Sequence, residues 1–197
     1  MRLIARTALT FGVIAALAAC DRSIEPAAET PAPTETLAAA TPAAPAQTAG
    51  GLAIEGEGLR IFDAEGAARA LPFGTPQETV IAAVTASTGG VAPEQSTGEE
   101  CGQGPTQFAI YTTGLQLLFQ NGEFNGWYVD KAGLTTVDGI GVGSTRAALA
   151  EARTIEMQPD STLGAEFIAG DVFGFLTSTA ADATVQSLWA GGNCFFR

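Results

Sequence analysis

The chain has 197 residues with nine basic and 21 acidic side chains, three cysteines and no histidine, for a formal net charge of −12. That balance repels phosphate backbones and anionic headgroups, so it argues against nucleic acid as a partner and against membrane binding by charge. The lack of histidine removes the commonest general base and a principal zinc ligand.

Residues 1–19 read as a signal peptide. Arg2 and Arg6 precede the uncharged stretch Thr7 to Ala19, and small residues stand before a cleavage point. The stretch falls short of the roughly 20 residues a spanning helix needs. The ending Leu17-Ala18-Ala19-Cys20 resembles the lipobox of bacterial lipoproteins. The resemblance implies that Cys20 carries diacylglycerol on its sulfur, becomes the mature N-terminus and is N-acylated. An ordinary secreted protein with a cysteine there by chance is the alternative. Cleavage would leave seven basic against 21 acidic side chains, a net charge of −14, so the membrane would be a partner through the lipid anchor alone. Stable anchoring takes more than one acyl chain, each buried CH₂ contributing about 0.8 kcal/mol. Asp21 follows the cysteine and leaves inner against outer membrane open.

Residues 20–50 read as the lipidated cysteine and a disordered tether. Five of the ten prolines (Pro26, Pro31, Pro33, Pro42, Pro45) sit there among Ala, Thr and Glu, and such a composition cannot bury enough surface to offset its ordering entropy. Extended, the segment would hold the following domain as much as about 90 Å from the membrane. The remainder, 51–197, is one domain's worth of chain.

Within it, Leu59, Ile61 and Phe62 lead into the turn Asp63-Ala64-Glu65-Gly66, with Ala67 to Leu71 returning as a hairpin. Gly74-Thr75-Pro76-Gln77-Glu78 announces a helix, with Thr75 as N-cap, Pro76 in the first turn and Glu78 completing a capping box. Gly89-Gly90 ends it, and a polar loop holding Cys101 follows. Strands are expected at Phe108 to Tyr111, at Leu115 to Gln120 and at Glu123 to Val129. The last two are joined by Asn121-Gly122, the signature of a type I′ hairpin. Gly143-Ser144-Thr145-Arg146 opens a second, short helix with Ser144 as N-cap. Strands are expected near Glu166 to Ala169, Val172 to Thr177 and Thr184 to Ala190.

The pattern therefore predicts an α+β domain of two helix-plus-three-strand antiparallel units in tandem, about 51–138 and 139–197, each strand set closing on a tryptophan, Trp127 or Trp189. Leu71-Pro72-Phe73-Gly74-Thr75 before the first helix, Gly139-Ile140-Gly141-Val142-Gly143-Ser144-Thr145 before the second, and Leu188-Trp189-Ala190-Gly191 with Cys194 resemble a family of proteobacterial lipoproteins. Its tandem units look like those of BamE and β-lactamase inhibitory protein. The resemblance covers roughly residues 55 to 197 and implies the fold; no functional residue carries over.

With Cys20 committed to lipid, Cys101 and Cys194 form an even pair in an oxidising compartment and read as one disulfide, two free buried thiols being the alternative. As catalytic thiols they lack a histidine base, and about 147 residues cannot house a cofactor domain and a catalytic domain, so a dehydrogenase would conflict with this chemistry. Gly139-x-Gly141-x-Gly143 departs from the dinucleotide fingerprint in its third glycine and follows no apolar strand. Glu99-Glu100 reads as an acidic loop, and Asp63, Glu65 and Asp171 lack the spacing of a calcium loop. No Gly-x-Ser-x-Gly elbow is present. No catalytic residue, metal or cofactor is expected.

Trp127, Tyr128, Trp189, Phe195 and Phe196 lie on or beside the terminal strands. Either they fill the core, or some of them, with Trp127, Tyr128 and Trp189 as candidates, form an aromatic patch that grips a protein or peptide. The function expected is that of a membrane-anchored cell-envelope lipoprotein facing the periplasm, a non-catalytic protein-binding or assembly module. The alternative is an inhibitor of a secreted or periplasmic hydrolase, working through a loop at residues 90 to 105.

Overall fold

The computed structural model describes residues 51–194. The signal peptide, Cys20 and the tether, like Phe195 and Phe196, lie outside the described residues. The chain begins with a three-stranded antiparallel sheet in the order β1 (Leu52–Glu55), β2 (Gly58–Phe62), β3 (Ala68–Pro72). The expected hairpin is β2–β3, with Phe62 opposite Ala68. Its turn is held by Asp63, whose Oδ1 accepts from the backbone N–H groups of Glu65 and Ala67. Strand β1 was not expected, because Leu52-Ala53-Ile54-Glu55 looks like the end of a tether until β2 pairs with it.

Helix α1 (Gln77–Ser87) then leads to β4 (Glu94–Gly98), β5 (Thr106–Ile110), β6 (Leu115–Gln120) and β7 (Glu123–Val129). Helix α2 (Arg146–Ala152) leads to β8 (Glu156–Met157), β9 (Ala165–Ala169), β10 (Val172–Leu176) and β11 (Val185–Gly191). All eight later strands join one antiparallel sheet in the order β4-β5-β6-β7-β11-β10-β9-β8. Its seam pairs Val129 with Leu188, Tyr128 with Trp189 and Trp127 with Ala190.

This overturns the α+β arrangement of two helix-plus-three-strand units, and with it the BamE-like and β-lactamase-inhibitory-protein-like architecture drawn from the resemblance. The protein is mostly β, an eight-stranded sheet plus a separate three-stranded one with only two helices among the described residues. The miscount has a physical reason. Strand β4 is Glu-Gln-Ser-Thr-Gly and β8 only Glu-Met. Neither alternates apolar with polar residues, and each is strand only because a neighbour supplies its backbone partners.

Helix capping also differs. The Thr75 hydroxyl turns back to donate to the Pro72 carbonyl at 2.7 Å, and α1 has no side-chain cap. Its end is tied to the β6–β7 hairpin instead: Gln77 N–H donates to the Gly122 carbonyl and Phe124 N–H to the Thr75 carbonyl. At α2 the cap is Thr145, whose Oγ1 accepts from Ala148 N–H, while the Ser144 hydroxyl accepts from Gly141 N–H. The Asn121-Gly122 turn forms as read, with φ of 53° and 79°, the positive pair that type I′ demands.

One face of the large sheet makes the core. Leu117, Trp127, Val129, Phe167, Leu188 and Ala190 pack with Val80 and Val84 of α1, Leu149 of α2, and Ile54, Leu59 and Leu71 of the small sheet. The other face carries the site.

Candidate functional site

Cross-strand partners in a sheet point to the same face, so the pairing register maps the outer face directly. One row crosses all eight strands as Glu94, Ile110, Gln116, Tyr128, Trp189, Phe173, Ile168 and Glu156. A second row runs Ser96, Phe108, Leu118 and Gly126. The apolar members of both rows are outside the core cluster. Ile110 is 37% exposed, and Tyr128, Phe108, Phe173 and Ile168 are half-buried. A carboxylate stands at each end of the first row, and between them every side chain but Gln116 is apolar or aromatic.

The three candidate aromatics separate. Trp127 is fully buried on the core side, where its Nε1–H donates to the Glu55 carbonyl at 2.8 Å and joins the two sheets. It fills the core and is removed from the candidate binding residues. Trp189 and Tyr128 share the outer face. Trp189 is 1% exposed; its ring lies 6.0 Å from Phe173, nearly parallel, and 4.9 Å from Phe175, tilted by 42°. Trp189 is therefore a platform beneath its neighbours, and Tyr128 is the candidate that a partner can reach.

Cys101 and Cys194 stand at disulfide distance, Sγ to Sγ 2.09 Å and Cα to Cα 5.1 Å, inside the Cα range a bridge requires. The chain leaves β11 at Gly191, φ 71°, and lays Gly192 across Gly126 so closely that a Cβ there would meet the Gly192 carbonyl at 2.1 Å. Asn193 and Cys194 then form one wall of a groove of about 370 Å³ on the outer face, whose other walls are Phe108, Ile110, Leu118 and Tyr128. Residues 90 to 105, read from sequence as a protruding polar loop, are largely β4 and the turn that carries Cys101.

The sequence reading missed Phe108, Ile110, Leu118, Phe173 and Ile168 as site residues. The signal lay in β10, Val-Phe-Gly-Phe-Leu, which is apolar on both parities, and in Leu118, the apolar residue between Gln116 and Gln120 on the outer parity of β6. A strand apolar on both sides announces a second surface in need of cover.

The remaining candidates have structural occupations. At the glycine run, a Cβ on Gly141 would meet the Leu134 carbonyl at 2.4 Å, and Gly139 and Gly143 hold positive φ; the run lets two backbone segments touch. Tyr111 lies beneath α1 with its hydroxyl 3.1 Å from Thr85 Oγ1. Burial pushes its phenol pKa up, and the Thr85 bond works in the opposite direction. Among the described residues, no three His, Cys, Asp or Glu side chains are grouped to hold a metal ion, and no helix is long and apolar enough to cross a membrane. No family model, curated protein or solved structure matches the chain.

Proposed function

We propose that this protein is a lipid-anchored lipoprotein of the cell envelope that faces the periplasm and binds another protein, without catalysis, through the outer face of its eight-stranded sheet. The observation that carries the reading is the set of apolar and aromatic side chains Ile110, Tyr128, Phe173 and Ile168, in a row broken only by Gln116 and set outside the core cluster. Contiguous apolar surface bounded by charge is the usual mark of a protein-contact patch, and Tyr is well suited to such a patch because its ring is apolar and its hydroxyl wet. The anchor rests on the Leu17-Ala18-Ala19-Cys20 motif.

Two measurements test it. A photocrosslinking amino acid at Tyr128 in intact cells should yield a discrete adduct, whereas the same group at exposed Val137, which lies outside the sheet, should not. Labelling equal at both positions would sink the binding face. Intact mass of the purified protein should show a chain beginning at Cys20 with acyl groups attached. A mature chain that starts elsewhere would remove the anchor and leave the binding face standing.

A further inference from the structure

A second surface, distinct from the aromatic face, lies along the β4 edge of the large sheet. The core-facing row Trp127, Leu117, Ala109 ends on Gln95 of β4, which is exposed. Strand β4 pairs only with β5, so among the described residues the outward backbone groups of Glu94–Gly98 have no ladder partner. Beside this edge runs a groove of about 970 Å³ lined on one side by α1 and on the other by Ala92 and Gln95. The helix offers it Glu78, Ala82 and Ala86, exposed and four residues apart, hence one stripe. No strand beyond β4 lies beside that stripe among the described residues.

We propose that β4 and α1 together receive an extended basic segment of a partner protein as a ninth strand of the sheet. The edge supplies main-chain hydrogen bonds, and alternate side chains of the incoming strand enter the groove against Ala82 and Ala86. Ala82 and Ala86 leave room there for the apolar side chains of an incoming strand. Charge selects the partner. Glu78, Glu94, Glu99 and Glu100 are exposed around the edge, and none of the residues lining the groove is basic. A second copy of this chain would bring its own acidic edge against this one, which is unfavourable, whereas lysines at alternate positions would meet Glu94 on the outer face while the residues between them enter the groove beside Glu78. Acid on the edge deters self-pairing and admits a cationic strand.

The proposal goes beyond the aromatic face and does not depend on it. The probe is a fluorescein-labelled peptide that alternates lysine and valine and is long enough to span β4, titrated into the full-length protein in detergent. It should bind, and it should slow hydrogen exchange at those β4 amides that point away from β5, alternate residues of Glu94–Gly98. Methylating the peptide's backbone nitrogens on alternate residues gives two versions of equal charge. One parity should lose affinity about tenfold or more, because its methyl groups face β4, while the other binds as the parent. Ala86→Trp, which fills the groove from an exposed helix position, should weaken the parent peptide by a similar factor. Equal binding of both methylated versions, or of a glutamate–valine peptide, would overturn the proposal. So would a dimer that the peptide dissociates, which would assign the edge to a second copy. Binding that appears only after residues 21–50 are removed would assign it to the tether and overturn the proposal likewise. Crosslinking at Tyr128 is unaffected by any of these outcomes.

Discussion

Trp127 ties the two sheets together through a single side chain. Its ring fills the core beneath the seam strands while its N–H reaches the Glu55 carbonyl at the end of β1. Glu55 in turn receives Arg60 across the β1–β2 hairpin, at 2.8 and 2.9 Å. A second ion pair fastens the segment before α2 to the end of that helix: Arg153 donates to both carboxylate oxygens of Asp138 at 2.7 and 2.8 Å. The Arg153 bond holds the Asp138 carboxyl below its ordinary pKa, burial opposes it, and the Thr136 hydroxyl adds a smaller push downward. A carboxyl depressed in the folded state stabilises the fold at neutral pH, and the contribution fades as pH falls through the ordinary carboxyl range to the folded value. The pair is partly exposed, so its worth is that of a good surface ion pair, about 0.5–1 kcal/mol. Asp138→Asn should therefore lower the urea midpoint at pH 7, with the gap from the parent protein closing toward pH 3. A gap that stays constant across that range would show that the charge contributes nothing.

The two helices begin by different means, and their threonines should respond differently to truncation. Thr145 Oγ1 accepts from Ala148 N–H, so Thr145→Ala should cost about 1 kcal/mol, the usual worth of an N-cap. Thr75 does not cap α1; its hydroxyl serves the Pro72 carbonyl at an exposed turn, and the helix end is held by the backbone of the β6–β7 hairpin. Thr75→Ala should cost half as much or less, as expected of an exposed neutral bond. Chemical denaturation of both variants checks this, and equal losses would contradict the assignment of the caps. The same contrast shows what was legible in the sequence. Asn121-Gly122 and the apolar strands β6, β7, β9, β10 and β11 carry their structure in local chemistry, and each lies where the pattern put it, within a residue or two. Strands β1, β4 and β8 and the cap of α1 depend on partners distant in the chain, and no local pattern encodes them. The outer face was half visible: Tyr128 and Trp189 stood out as aromatics, but assigning Trp127 to the opposite side needed the register across the seam.

At the scale of the molecule, no strand follows β11 among the described residues, and a segment without such a tie is the part of a fold that frays first. The Cys101–Cys194 bridge holds Cys194, a groove residue, to the turn between β4 and β5. It encloses a 93-residue separation that contains α2 and seven of the eight strands of the large sheet. Closing a loop of that length restrains the unfolded chain by about 4 to 5 kcal/mol in the chain-entropy description. Replacing either cysteine by serine should therefore cost a few kcal/mol, with that figure as the upper bound. The loss should be accompanied by a steeper denaturant dependence, because the freed unfolded chain exposes more surface. The fold should survive, since the core cluster includes neither cysteine. The groove should not survive intact, because Asn193 and Cys194 form one of its walls. Cys194→Ser should thus weaken crosslinking through Tyr128 at temperatures where the protein is still fully folded, whereas binding at the β4 edge depends on the backbone of that strand and on α1. Peptide mapping without reductant decides the pairing itself: a linked pair of peptides carrying Cys101 and Cys194 is expected, and two free thiols in protein taken from the envelope would refute it.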